Sequence, residues 1–349
     1  MISNTFSGIE RTLEELLSRE GLHELANFAR DSFIQIFVGE LPIKQKPGCI
    51  LDDPHVHYPH PKNMNELEET VRTIAKRLGR SAITKWAMTP EDEEAVKNVL
   101  RYEFLIENIQ NVSPDIRLDF RGEVSIIHIG DNKVQVYPSQ EIRTTSSING
   151  FYPHITAEGC LQSIKSGQDA RKTIELVHDL GGIAIIEHNT TKTHPILQYT
   201  LTNPNEDRFT RELFDMADAT EVFNSYNTFH MVASNAAAKK EADSYKIAKV
   251  AGSDLHFGAS SNSALKAHKK RIGKTGIWLP EHDLQSLTGK EILELKRNDL
   301  KTGNYERLET YTDPWTFFIT MVPPILYRTL AHRENKLGIK TKLHTDSIS

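Results

Sequence analysis

The sequence predicts an α/β fold with a largely parallel sheet, open or closed into a barrel. Three observations carry that expectation. Apolar runs of strand length alternate with segments of helical periodicity along most of the chain. Those runs repeatedly end in His, Asp or Glu. Two of the endings, Asp53-Pro54-His55-Val56-His57 and Gly252-Ser253-Asp254-Leu255-His256, place ligand-type side chains at i and i+2. On a strand that spacing puts both on one face, so two such strand ends can present their donors to one point.

The elements follow in order. Residues 8–37 carry Leu13, Leu16 and Leu17, then Leu22, Leu25 and Ala26, at helical spacing, with a break expected at Gly21. They define an N-terminal helical extension, residues 1–45. Pro42 to Pro47 is a connector. Strands are expected over 49–57, 81–87, 133–142, 182–188, 219–224, 247–253 and 275–279, and helices over 64–79, 91–110, 168–180, 206–217 and 228–244. Val124-Ser125-Ile126-Ile127-His128-Ile129 and Lys133-Val134-Gln135-Val136, separated by Gly130-Asp131-Asn132, read as a hairpin. Residues 46–284 thus form the main body. Residues 285–349 are a mostly helical C-terminal extension with a polar tail.

Composition limits the function classes. A net charge of -5 argues against a generally basic nucleic-acid-binding surface. Two cysteines, Cys49 and Cys160, cannot build a disulfide framework, and neither sits in a C-x-x-C pair. Residues 9–17 are interrupted by Glu10, Arg11, Glu14 and Glu15, which is unlike a secretory leader. The apolar stretch 314–330 is short and broken by Pro323 and Pro324, so it predicts a packed helix rather than a membrane span. These readings point to a cytoplasmic protein.

Four further segments extend the strand-end pattern. Glu141 ends Val136-Tyr137-Pro138-Ser139-Gln140-Glu141, and His154 follows in Gly150-Phe151-Tyr152-Pro153-His154. His188 ends Gly182-Ile183-Ala184-Ile185-Ile186-Glu187-His188, and Glu221 with Asn224 lies in Thr220-Glu221-Val222-Phe223-Asn224. Over residues 49–280 this set resembles the PHP (polymerase and histidinol phosphatase) family. In order, the segments match that family's D-x-H-x-H, P-G-x-E, G-G-x-x-x-x-A-H, E-x-x-N and G-S-D-x-H.

The resemblance implies a distorted β/α barrel of PHP type and a metal-dependent phosphoesterase. It implies that His55, His57, Glu141 and Asp254 hold a first metal. Glu141 would bridge to a second, completed by His154 and His188. Mixed imidazole and carboxylate donors suit Zn, Mn or Fe. Two close ions can lower the pKa of a shared water and stabilise the oxygens of a phosphoryl group. His256 is expected in the site, on a metal or as the acid that protonates the leaving oxygen. Arg143 is a candidate for binding substrate phosphate. Glu221 and Asn224 are expected to support the site rather than bind metal. The expected substrate is a small phosphorylated compound or nucleotide.

The departures argue for two metals rather than three. The family's T-D-H is replaced here by Thr84-Lys85-Trp86, and the loop after the opening motif offers only His60. Lys85 or Lys62 could place a fixed positive charge where a third ion would sit. Ser139 replaces the glycine of P-G-x-E, which puts the turn there in question. Two other readings stay open: an amidohydrolase-like C–N or C–O hydrolase on the same metals, and a non-catalytic binding or regulatory protein. The run His268-Lys269-Lys270-Arg271 is expected to be solvated, and the segment 189–208 to form a loop over the site.

Overall fold

The computed structural model describes residues 19–33, 46–57, 64–78, 81–87, 102, 106–145, 153–187, 207–225, 232–256 and 271–312. Its helices are α1 (Arg19–Phe33), α2 (Met64–Leu78), α3 (Ala170–Asp179), α4 (Asp207–Met216), α5 (Val232–Asp243) and α6 (Gly289–Thr302). Its strands are β1 (Cys49–Asp53), β2 (Val56–His57), β3 (Ser81–Ala87), β4 (Ile116–Phe120), β5 (Ser125–Ile129), β6 (Asn132–Arg143), β7 (His154–Glu158), β8 (Ile183–Glu187), β9 (Ala219–Asn224), β10 (Ala248–Gly252), β11 (Leu255–His256), β12 (Gly276–Pro280) and β13 (Glu306–Leu308). None of the described helices is long and apolar enough to cross a membrane.

The strands join one mixed sheet in the order β10-β9-β8-β7-β6-β3-β1-β12-β13, with β4-β5 and β2-β11 attached beside that path. This corrects the expected PHP-type β/α barrel: the path has two distinct ends, and parallel pairs do not dominate it. Four parallel pairs on it, β10-β9, β9-β8, β6-β3 and β3-β1, are matched by four antiparallel ones, β8-β7, β7-β6, β1-β12 and β12-β13. β7 runs antiparallel to both β6 and β8. The cause is connection length. The link from Arg143 to His154 is too short for the crossover helix that a parallel pair requires. The expected hairpin is present as β5-β6, and β4 extends it on the other side.

Apolar faces hold the layers together. Leu51, Val134 and Trp278 of the sheet pack with Leu67, Val71 and Ile74 of α2. Ile155 and Ile186 meet Ile174 and Val177 of α3 and Phe214 of α4. Asp169 starts α3 by accepting hydrogen bonds from the amides of Arg171 and Lys172. Thr288 and Glu291 form a reciprocal capping box at the start of α6, and Gly303 ends that helix in the left-handed conformation.

Polar groups tie the outer helices to the sheet. Lys296 of α6 is 3% exposed. Its ammonium pairs with Asp52 of β1 at 2.6 Å and with Glu158 of β7, and lies 5.1 Å from the Tyr137 ring centroid. Burial pulls the Lys296 pKa down, but the two carboxylates outweigh it and hold the group above its ordinary value. The break expected at Gly21 does not occur, because α1 runs through it while packing on α5. Arg271 is not on a solvated surface either: it is buried and its guanidinium donates to the Thr310 carbonyl. The remainder of that basic run, the segment 189–206 and the apolar stretch 314–330 lie outside the described residues.

Candidate metal centre

Carboxylates from β6, β8, β9 and the bend between β10 and β11 converge on one buried imidazole. His55 sits in the bend between β1 and β2, where Asp53 accepts hydrogen bonds from the His55 amide at 3.3 Å and the Ser253 amide at 3.0 Å. Burial raises the Asp53 pKa to about 7, although the Ser253 hydrogen bonds oppose it. The two-residue ladder β2-β11 and the bond from the Asp254 amide to the His55 carbonyl, 2.7 Å, bring the loop after β1 against the loop after β10. Asp254 adopts a φ of 49°, in the left-handed region. A side chain is costly there, so the surrounding contacts must hold it.

The His55 ring is 3% exposed. Its Nδ1 lies 2.8 Å from Glu221 Oε1, a bond that would hold the Nδ1 proton while Nε2 gave up its own to a cation. Around Nε2 stand Glu187 Oε2 at 3.3 Å, Asp254 Oδ1 at 3.3 Å and Glu141 Oε2 at 3.9 Å. Metal–donor distances of about 2.0–2.2 Å separate two donors by about 3.0 Å at a right angle and about 3.4 Å at the tetrahedral angle. The Glu187 and Asp254 spacings to Nε2 fall in that range, and the Glu141 spacing is longer. His55, Glu141 and Glu187 each offer a ligand atom, all within 4.8 Å of one another. The other Glu141 oxygen, Oε1, is hydrogen-bonded to His154 Nδ1.

Electrostatics favour the same conclusion. Glu141, Glu187, Glu221 and Asp254 are all buried around His55. Burial alone would lower the His55 pKa; Glu187, Asp254 and Glu221 together hold it well above the ordinary value. Four carboxylates gathered around one imidazole form a donor set of the kind that suits a divalent cation.

Supporting bonds orient the donors. Thr156 of β7 donates to Glu187 Oε1. Asn224 of β9 donates to Asp254 Oδ2 at 3.1 Å and Glu221 Oε2 at 3.3 Å. Gly252 makes the approach possible, since a Cβ there would lie 2.4 Å from Glu221 Oε1 and 2.5 Å from His55 Cβ.

Of the residues the sequence nominated, the structure brings His55, Glu141, His154 and Asp254 together. Arg143 is exposed on β6, in register with His154 on β7. Glu221 and Asn224 support the donors, as expected. His57 and His256 face each other in the β2-β11 register, but their side chains lie outside the described residues, as do those of Lys85 and Trp86. His188, His60, Lys62 and His194 also lie outside them. Ser139 raises no question of a turn, because β6 passes through it paired with both β3 and β7. Glu187 was missed. Its signal was available: a carboxylate closing a wholly buried strand.

No protein-family model matches the chain, and no curated protein matches it.

Proposed function

We propose that the chain is a metal-dependent hydrolase that cleaves phosphate esters. The observation that carries the reading is the arrangement of Glu187 and Asp254 oxygens around His55 Nε2 at donor–donor spacing, with a Glu141 oxygen farther off. The donors fit the ions expected from the motifs: imidazole nitrogen with carboxylate oxygen suits Zn, Mn or Fe. Such ions, when bound, acidify a water and neutralise the oxygens of a phosphoryl group.

The chain's own residues would then do the following. Glu221 holds the His55 proton on Nδ1, and Thr156 and Asn224 hold the Glu187 and Asp254 carboxylates. His154, hydrogen-bonded to Glu141, would take part in the second cation position, to which the motifs also assign His188. Arg143, exposed beside that position, is suited to bind substrate phosphate. His256, two residues beyond Asp254, is assigned the protonation of the leaving oxygen. The family resemblance of the motifs supports the choice of phosphate over other bonds.

Elemental analysis of the purified protein, followed by a panel of phosphate esters and cyclic amides, tests the reading. About two equivalents of a transition metal with phosphatase activity lost on chelation is the expected result. Metal-free protein as active as the loaded form, or activity confined to amides, would overturn it.

A further inference from the structure

Helix α1 buries two carboxylates, Glu24 and Asp31, at 2% and 7% exposure. Burying acidic groups on a terminal helix is costly unless each is bonded. Both are bonded to Tyr311, in the segment after β13. The Tyr311 hydroxyl donates to Glu24 Oε2 at 2.5 Å, and its amide donates to Asp31 Oδ2 at 3.0 Å. The Tyr311 ring lies edge-on between Phe28 of α1 and Phe223 of β9, with centroids 5.6 and 4.8 Å away. Lys239 of α5 clamps the assembly by pairing with Glu24 at 2.7 Å and Glu309 at 2.6 Å.

The chain of bonds continues inward. Asn235 of α5 donates through Nδ2 to the Tyr311 hydroxyl and to the Asn224 carbonyl, each at 3.1 Å. Its Oδ1 accepts from the Asn224 amide at 3.0 Å. One carboxamide thus grips the backbone of Asn224 at two points. The Asn224 side chain spends its two hydrogens on Asp254 and Glu221. The Asn235 position needs two donors and an acceptor and the Asn224 position two donors, and a carboxylate lacks the donors. Every residue in this path is 8% exposed or less.

We infer that Glu24, Tyr311, Asn235 and Asn224 form a positioning relay. Through it, α1 and residues 309–312 set the orientation of Asp254 and Glu221 around His55. The structural half stands on the bonds above, whereas the consequence for cation binding rests on the proposed metal centre. The two terminal segments then belong to the site and are not appendages.

Tyr311→Phe keeps the ring and removes the hydroxyl shared by Glu24 and Asn235. Two readouts apply: Mn2+ affinity by titration, and the nitrogen-15-edited NMR resonance of the His55 Nδ1 proton on Glu221. Supporting bonds of this kind are worth about 10–100-fold in metal affinity, so the variant should weaken Mn2+ binding by about that factor and shift the resonance. Leu300→Ala, a cavity in α6 remote from the relay, is the control for general destabilisation and should leave both readouts in place. The relay is overturned if Tyr311→Phe matches the wild type in both, or if Leu300→Ala reproduces its losses. Should the wild type bind no Mn2+, the metal reading fails, and the His55 resonance alone decides the relay: unmoved in Tyr311→Phe, it refutes it.

Discussion

Lys296→Met is the sharpest test of how the sheet is held together. The methionine keeps most of the buried length of the side chain and removes its charge, leaving Asp52 and Glu158 facing each other at 0% exposure each. Breaking a buried ionic group by removing one member costs about 3–5 kcal/mol. With an unfolding entropy of about 2.1 cal/mol/K per residue over 349 residues, that corresponds to a melting-temperature loss of about 4–7 °C. The deficit should also depend on pH. Without Lys296 the two buried carboxylates hold protons more tightly in the native state than in the unfolded chain. The native state then binds more protons, and stability falls as pH rises. Differential scanning calorimetry at pH 5 and pH 8 would show the larger deficit at pH 8. Adding Asp52→Asn and Glu158→Gln to the variant should restore much of the loss. A change below about 1 °C, or a deficit that grows toward acid, would refute the account of this triad.

Three further outcomes follow from the geometry. Glu187→Gln preserves shape and removes a charge from the His55 cluster; Mn2+ affinity should fall at least as far as the roughly 10–100-fold expected for a supporting bond, with the circular dichroism spectrum unchanged. Gly252→Ala forces a Cβ to within 2.4 Å of Glu221 Oε1 and should cost about 1–3 kcal/mol in denaturant titrations, with loss of metal retention. Asp218 is held below its ordinary pKa of 3.8: burial opposes this, but bonds from His178 and the Ala184 amide, with Arg297 nearby, prevail. Its stabilisation is present above pH 3.8 and disappears as pH falls through the depressed value, so Asp218→Asn should be about 1–3 kcal/mol less stable at pH 7 and converge on the wild type in acid.

Much of this architecture is legible in local pattern, and what is not has identifiable causes. The buried run of β8 announces itself, because apolar run and burial agree, and β5 and β6 are marked by the Gly130-Asp131-Asn132 turn between two extended runs. β7, His-Ile-Thr-Ala-Glu, carries no such signal. It is a strand because β6 and β8 offer it hydrogen-bonding edges on both sides. Helix α6 had a readable start in Thr288 and Glu291, a capping box that the βα alternation drew attention away from. Gly21 costs about 1 kcal/mol inside a helix, which the packing of α1 on α5 outweighs. Glu187 was hidden by its neighbour. Adjacent residues on a strand point to opposite faces, so nominating His188 does not by itself nominate Glu187.

The expected site was assembled by an argument about parallel strands, and His55, Glu141, His154 and Asp254 come together although the sheet is mixed. In a parallel barrel, donors converge because every strand ends on the same side. Here β6 and β7 are antiparallel, so the end of one lies beside the start of the next. Arg143 is paired with His154, and Glu141 with Thr156. β8 again opposes β7, which sets Glu187 opposite His154. An antiparallel strand between two others therefore delivers its first residue where its neighbours deliver their last. β9 and β10 run parallel to β8 and add Glu221 and, just past the strand end, Asp254 at that same edge. What the chemistry requires is a common edge for the donors, and alternating strand direction satisfies that as well as uniform direction does. Ligand-type residues at strand ends are thus evidence for a shared site and weak evidence for a barrel. His154, which opens its strand instead of closing it, is the residue that distinguishes the two.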